Sequence, residues 1–371
     1  MSMNLNKLSL RDFRNYEALD LNFDPGVNLI VGNNAQGKTN LLEAISYLGS
    51  GKSFRALKSS EMVRFGADFA DCEGQIFSQE REQTLRWVIF GSSRPRQLYR
   101  NGAKKKTATE IAGVLQTVLF CPEDLMILKA GAGARRRLGD QALCQLRPNY
   151  EAALSEYRRI LEQKSRILKD RIENPGIIDI LPEYNTRLCQ VGALLISYRA
   201  RFYEGLGKAA AIYHEHFSGG AEEFHLEYHT VSTVTDPFAP VAILRDQLME
   251  HLQSHERAEL ESVQCLTGPH KDDFTVALSG IDLKAYGSQG QTRTAAISLK
   301  LAQRELMGRE SGEIPVLLLD DVLSELDPGR QDFVLNQISQ GQVFITCCEP
   351  GRFTKLGKTI EVNKGNVISR H

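Results

Sequence analysis

Two short runs in this chain combine residue types and spacings suited to phosphate chemistry. Gly32-Asn33-Asn34-Ala35-Gln36-Gly37-Lys38-Thr39 satisfies the pattern G-x-x-x-x-G-K-[ST] at every constrained position. A polyphosphate needs backbone N–H groups converging on its oxygens, and glycine lets the main chain come close enough. Lys38 then suits the β- and γ-phosphates, and the Thr39 hydroxyl suits Mg²⁺. The second run, Val316-Leu317-Leu318-Leu319, is apolar and ends in Asp320-Asp321. At the carboxyl end of a buried parallel strand, Asp320 can enter the coordination sphere of the same Mg²⁺. Asp321 is then placed to orient or deprotonate an attacking water. Together the runs predict a chain that binds a nucleoside triphosphate with its metal, and Asn40 follows directly on the loop.

Ser288-Gln289-Gly290-Gln291, at the start of a predicted helix, is a second anion cradle made of hydroxyl, glycine backbone and helix N-terminus. One nucleotide in one chain has no use for two cradles unless geometry separates them. Two copies facing each other across two nucleotides use both, so a nucleotide-dependent homodimer is expected. Ser324-Glu325-Leu326-Asp327, close behind the paired acids, is expected at that interface.

These runs need a frame. Val27, Leu29, Ile30 and Val31 read as a buried strand entering the loop, and Leu41, Leu42, Ala44, Ile45 and Leu48 as the helix leaving it. The opening segment alternates at Leu8, Leu10, Leu19, Leu21 and Phe23, and residues from about 60 to 120 read as short strands, with a hairpin tip at Arg100-Asn101-Gly102. From about Glu123 the pattern changes to helices predicted over 149–172, 182–216 and 240–260, with a short strand at Phe224, Leu226 and Tyr228. Each long helix would span about 40–50 Å, an arm rather than a rod. After Gly268 a helix near 290–308 and strands at 316–319 and 343–345 return to an α/β pattern. The expected organisation is an α/β head from 1–124 and 265–371, with a mainly helical arm at 125–264 inserted.

Composition narrows the function class. No stretch approaches the roughly 18 apolar residues of a membrane span, and Met1-Ser2-Met3-Asn4-Leu5-Asn6-Lys7 lacks the apolar core of a signal peptide. The seven cysteines show no C-x-x-C spacing, so reduced thiols and a cytoplasmic location are expected. A net charge of −1 offers no overall steering toward DNA, leaving that task to local patches. Arg94, Arg96, Arg100, Lys104, Lys105 and Lys106 form one, and Arg135, Arg136 and Arg137 another. Both suit phosphate-backbone contacts, and a plain solvated surface suits each equally well. His251 with His255, and His225 with His229, have metal-ligand spacing on their elements, yet no third ligand presents itself, so solvated faces are expected. Cys347 and Cys348 read as small residues near a strand end.

The sequence of motifs resembles the head of an ATP-binding-cassette ATPase, and the G-x-N-x-x-G-K-T-N form of Gly32 to Asn40 resembles its SMC/Rad50/RecF branch. Leu10-Arg11-Asp12-Phe13-Arg14-Asn15, Gly51-Lys52-Ser53-Phe54-Arg55, Gly268-Pro269-His270-Lys271-Asp272-Asp273, Tyr286 to Gln291 and Leu319 to Asp327 resemble the RecF family, in order and across nearly the whole chain. The resemblance implies a Rad50-type head with an inserted helical arm and Asp321 as base where most cassettes carry Glu, hence slow hydrolysis. It also implies nucleotide contacts from Gly32 through Asn40, from Ser288 through Gln291 and from Asp327, with Thr39 and Asp320 on the metal. The implied role is recombinational repair on single-stranded, gapped or duplex DNA. RecR and RecO would be partners and RecA an indirect one, with roles in replication restart and SOS induction. Two family features are hard to place. Thr346 stands where many cassettes carry a γ-phosphate-sensing histidine, and the Q-loop glutamine has only Gln75 and Gln79 as candidates. The alternatives are another SMC-like head, a transporter ATPase subunit, or a nucleotide-gated scaffold. The lack of a C-x-x-C hook and of long heptads argues against Rad50 and RecN. The arm argues against the transporter.

Overall fold

The computed structural model describes residues 2–338, 340–349 and 351–370. The chain forms two compact units, Met1–Met126 with Ala296–His371, and Ile127–Ala295.

The first unit contains two six-stranded sheets. One is antiparallel, in the order Tyr16–Asn22, Asn4–Phe13, Phe69–Ser78, Arg81–Phe90, Gln97–Arg100, Ala103–Lys105. Its first register, Leu8 opposite Leu21 and Leu10 opposite Leu19, puts the alternating leucines on one buried face. The other runs Asn366–Arg370, Lys358–Asn363, Val27–Val31, Val343–Cys347, Val316–Leu319, Thr117–Phe120. It is parallel except for the first pair. Its central strands are buried on both faces, which explains why they read as continuous apolar runs without alternation. The helix Lys38–Ser50 is buried almost all round, and one core joins its Leu41, Ile45 and Leu48 to Leu5 and Leu10 of the first sheet and to Ile30, Leu318 and Phe344 of the second.

The second unit packs helices Ala132–Leu146, Pro148–Asp170, Leu181–Ser218 and Val241–Ser262 with a three-stranded antiparallel sheet, Ile281–Asp282, Asp273–Leu278, Phe224–His229. Leu181–Ser218 has 38 residues, about 57 Å of helix and longer than expected. Its Cys189, Ala193 and Ile196 pack on Leu244, Leu248 and Leu252 of Val241–Ser262. Between Pro148–Asp170 and Val241–Ser262 lies a buried ion pair, Lys164 Nζ to Glu259 Oε2 at 2.5 Å. Glu259 also accepts from the N–H groups of Leu266 and Thr267, so neither charge is left bare.

The unit boundary falls at Ala295, where 264 was expected. The cause is the pairing of Asp273–Leu278 with Phe224–His229, which carries the following segment, including Ser288–Gln291, into the second unit.

Candidate functional site

The glycine-rich loop leaves Val27–Val31 and enters Lys38–Ser50. A side chain at Gly32 would meet the Val362 carbonyl, and Gly37 has φ 118° with the Asn15 amide 2.7 Å from where a Cβ would lie. Both positions therefore require glycine. Tyr16, fully buried, donates to the Gly37 carbonyl at 3.0 Å, and Asn15 Nδ2 donates to the Gln36 carbonyl at 2.9 Å. From the other side the turn after Lys358–Asn363 grips Gln36: Lys364 N–H donates to Gln36 Oε1 at 2.7 Å and Gly365 N–H to its carbonyl at 3.0 Å. Lys38, 4% exposed, donates to the carbonyls of Gly32 at 2.7 Å and Asn33 at 3.2 Å. Its ammonium thus sits inside the curl of the loop.

Asn40 faces away from this role. Its Nδ2 donates to Asn15 Oδ1 at 2.8 Å and its Oδ1 accepts from Arg55 at 3.0 Å, so both polar ends support the loop. Behind it Arg14 makes a two-pronged pair with Glu43, at 2.7 Å for each bond, and Ser53 also donates to Glu43. The matched segments Leu10–Asn15 and Gly51–Arg55 thus meet here.

Next to the loop strand, the parallel sheet lines up three carboxyl ends. Asp320 Oδ1 accepts from Thr39 Oγ1 at 3.0 Å and from Thr346 Oγ1 at 2.9 Å, and Thr346 Oγ1 accepts from the Asp321 N–H at 2.8 Å. Burial pushes the Asp320 carboxyl above its ordinary range. The donors Thr346 and Thr39 pull it down, and the adjacent Asp321 charge adds to the rise. Asp321 is half-buried in the left-handed region at φ 50°, a conformation aspartate tolerates better than most residues. Thr39 and Asp320 offer a hydroxyl and a carboxylate oxygen, the hard donor set Mg²⁺ prefers. Asp327 caps the helix Pro328–Gln337, accepting from the Arg330 N–H at 3.0 Å and from its guanidinium.

In the second unit, Ser288 and Gln289 are exposed and Gly290 and Gln291 half-buried, at the N-terminus of the helix Gln289–Ser311.

Several sequence expectations change. Arg135 is not available to a nucleic-acid backbone: it is 1% exposed, its guanidinium makes two bonds to Asp273 at 2.6 and 2.7 Å, and it caps the carbonyls of Leu128 and Ala130. Arg136 donates to the Asp272 carbonyl at 2.6 Å, and only Arg137 of the three is fully exposed. Of the hairpin lysines, Lys104 and Lys106 are exposed and Lys105 lies 3.8 Å from Glu110. His251 is buried, stacked on His255 and bonded to Thr267 Oγ1 at 2.8 Å, where a solvated face was expected. Gln75 is exposed on a strand of the antiparallel sheet, and Gln79 lies in the turn that follows. The carboxyl end beside Asp320 belongs instead to Thr117–Phe120, whose Phe120 carbonyl accepts the Asp320 N–H at 2.9 Å. The residues after it, Cys121 to Asp124, went unnoticed in the sequence, although an apolar run closing in Pro122-Glu123-Asp124 repeats the signal of strand 316–319. Asp124 there pairs with buried Lys300 at 3.1 Å.

A family model described as RecF/RecN/SMC N terminal domain matches residues 4–369. The chain is 39% identical to the DNA replication and repair protein RecF of Agathobacter rectalis over 377 residues, covering 98% of this chain and 99% of the relative. It is 39% identical to RecF of Bacillus subtilis over 350 residues, covering 93% of each. Among solved structures, the recombination mediator protein RecF with ATP, of the RecFOR pathway, superposes with a TM-score of 0.92 at 34% identity, covering 100% of this chain and 98% of that one. The Smc head domain of Pyrococcus furiosus matches in fold alone, with a TM-score of 0.58 at 17% identity over 100% of this chain and 96% of that one. The chain belongs to the RecF family, within the group that shares the RecF/RecN/SMC N-terminal domain.

Proposed function

We propose that this chain is an ATP-binding protein of DNA repair and replication that acts as an ATP-gated, DNA-binding dimer. The observation that carries this reading is the line Thr39–Asp320–Thr346, which joins the end of the glycine-rich loop to two neighbouring strand ends. Gly32 to Thr39 would wrap the phosphates of ATP, with Lys38 turning from its loop carbonyls to the β- and γ-oxygens. Thr39 and Asp320 would hold Mg²⁺, which would supply positive charge to neutralise the phosphates. Asp321 would orient and deprotonate water, and its short carboxylate favours slow turnover, so ATP serves mainly as a switch. Ser288 and the N–H groups of Gly290 and Gln291 would cap the nucleotide of a second copy, with Ser324–Asp327 at the same interface.

The RecF relatives, named for DNA replication and repair, support DNA as the partner, and the reading takes it in single-stranded, gapped or duplex form. Neighbours described as recombination mediators of the RecFOR pathway support a place in that pathway, and on this reading RecR- and RecO-type mediators are the partners, with RecA loading and SOS induction downstream. Among the described residues no helix is long and apolar enough to cross a membrane, and we place the protein in the cytoplasm.

The test is sedimentation of the wild type, Lys38→Met and Ser288→Arg with ATP, with ADP and without nucleotide. The wild type should dimerise in ATP and revert in ADP, which lacks the contacted phosphate. Lys38→Met should lose ATP binding, while Ser288→Arg should bind ATP and stay monomeric. A wild type that remains monomeric in ATP at micromolar concentration overturns the dimer.

A further inference from the structure

The Ser288–Gln291 segment is held by side chains outside it. Gln291 Oε1 accepts from the Ser288 N–H at 3.0 Å, and Ser288 Oγ accepts from the Gln291 N–H at 3.2 Å, a reciprocal capping box. The other end of the Gln291 amide, Nε2, donates to Glu222 Oε1 at 2.8 Å. The second Glu222 oxygen, Oε2, accepts from His214 Nε2 at 2.9 Å. His214 lies four residues before the end of Leu181–Ser218, is fully buried, and packs its ring against Phe224. Its Nδ1 has no hydrogen-bond partner among the described residues.

Chemistry fixes the direction of every bond in this line. An ionised carboxylate only accepts, so the amide nitrogen of Gln291 must face Glu222, and the amide oxygen is thereby aimed at Ser288. The same argument puts an imidazole proton on Nε2, facing Glu222. The Glu222 carboxyl is held below its ordinary range, first by the bond from Gln291 and also by His214. A half-buried glutamine at the third helical position without such a partner samples several rotamers, of which few serve the capping box.

We propose that Glu222, itself held by His214, is a positioning residue for Ser288: it locks the Gln291 amide and thereby presets the hydroxyl and N–H groups that cap the second copy's ATP. The line also joins this segment to the end of the 38-residue helix Leu181–Ser218, so displacement of that helix is felt at Ser288. The functional half of this assignment rests on the ATP-dimer reading.

Gln291→Glu separates the two jobs of Gln291. Glutamate serves the capping box as well as glutamine does, yet it sets two carboxylates against each other at the 2.8 Å contact. Adding Glu222→Gln restores one donor facing one acceptor in reverse, with the new amide oxygen still free to accept from His214. The full-length protein is read twice: by hydrogen exchange of residues 286–292 without nucleotide, and by sedimentation in ATP. Gln291→Glu should speed exchange there and weaken the dimer about tenfold, the scale of one charge-assisted hydrogen bond. The double variant should recover both, which a general loss of folding would not do. Wild-type exchange in Gln291→Glu, or a double variant no better than the single one, overturns the positioning role. If exchange follows the expected pattern while assembly in ATP is the same for every variant, Ser288→Arg included, the dimer reading falls and Glu222 is left as a support of the helix start only.

Discussion

One hydroxyl, Thr346 Oγ1, ties both acids to the neighbouring strand: it donates to Asp320 and accepts from the backbone of Asp321. A histidine at this position could not reproduce both contacts with one small group, so the threonine suits a strand end that organises acids. The division of labour between the acids follows. Asp320 accepts from two hydroxyls, whereas the left-handed backbone at Asp321 turns the chain out of the strand. Asp321→Asn keeps size and backbone preference and removes only the carboxylate proposed as the base. ATP affinity should be unchanged while turnover falls about a hundredfold or more. Turnover at the parental rate, measured alongside binding, would place the base elsewhere. The loop and the acid pair were legible in the sequence because each is a contiguous run. Asn15 and Arg55 were legible only as parts of matched segments and Glu43 not at all, since their joint task of bracing the loop needs the folded chain to bring positions 15, 43 and 55 together.

At the scale of elements, periodicity found the three long helices to within a few residues. It missed Ala132–Leu146, whose opening Gly131-Ala132-Gly133-Ala134 has the composition of a loop and whose Arg135 is buried against Asp273. Such pairing cannot be read from a window along the chain, which is why a buried anchor resembled part of a basic patch. The Gly268–Asp273 turn is an anchor of the same kind. Arg199 reaches Asp140, Asp272 and the Pro269 carbonyl there, and Tyr228 also donates to Asp272. In the same turn His270 Nδ1 meets Tyr157 Oη at 2.7 Å and its Nε2 meets the Cys265 carbonyl at 2.9 Å. Burial pushes the His270 imidazole down from 6.5 to about 4. The neutral ring, with Nε2–H donating to Cys265 and Tyr157 donating to Nδ1, is therefore the folded form near pH 7. Below 6.5 the unfolded chain takes up a proton that the folded chain refuses. Stability is complete above 6.5 and falls as pH drops toward 4, by no more than about 3 kcal/mol from this residue. His270→Asn should lower stability at pH 7.5 yet flatten its fall between pH 6.5 and 4.5, as read by urea melts across that range. A parallel pH dependence in the variant would show that His270 does not carry it.

For the molecule as a whole, a net charge of −1 means that any DNA affinity must come from a few exposed cations. Lys104 and Lys106 on one unit and Arg137 on the other meet that condition, and Arg135 does not. Neutralising those three together should weaken DNA binding equally across sequences and lower the salt slope by about three, near one per lost phosphate contact. An unchanged slope would return these residues to ordinary surface. The division into a head and an inserted arm was legible from the switch of period near residue 125. Its second boundary was not, because it depends on Phe224–His229 finding Asp273–Leu278. That dependence on distant partners is greatest at the strand feeding the glycine-rich loop. Val27–Val31 has two neighbours, Val343–Cys347 and Lys358–Asn363, while the antiparallel sheet pairs residues 4–22 and 69–105 among themselves. During synthesis the antiparallel sheet can close as it emerges from the ribosome, whereas the loop strand must wait, unpaired and apolar, for segments made some 300 residues later. Until then the helix Lys38–Ser50 has a floor on one side only, and the growing chain exposes a sticky edge that a chaperone would be suited to cover. The site is thus completed only after residues 343–363 have been made, so a chain stalled before residue 343 would carry an intact loop sequence and no means of shaping it.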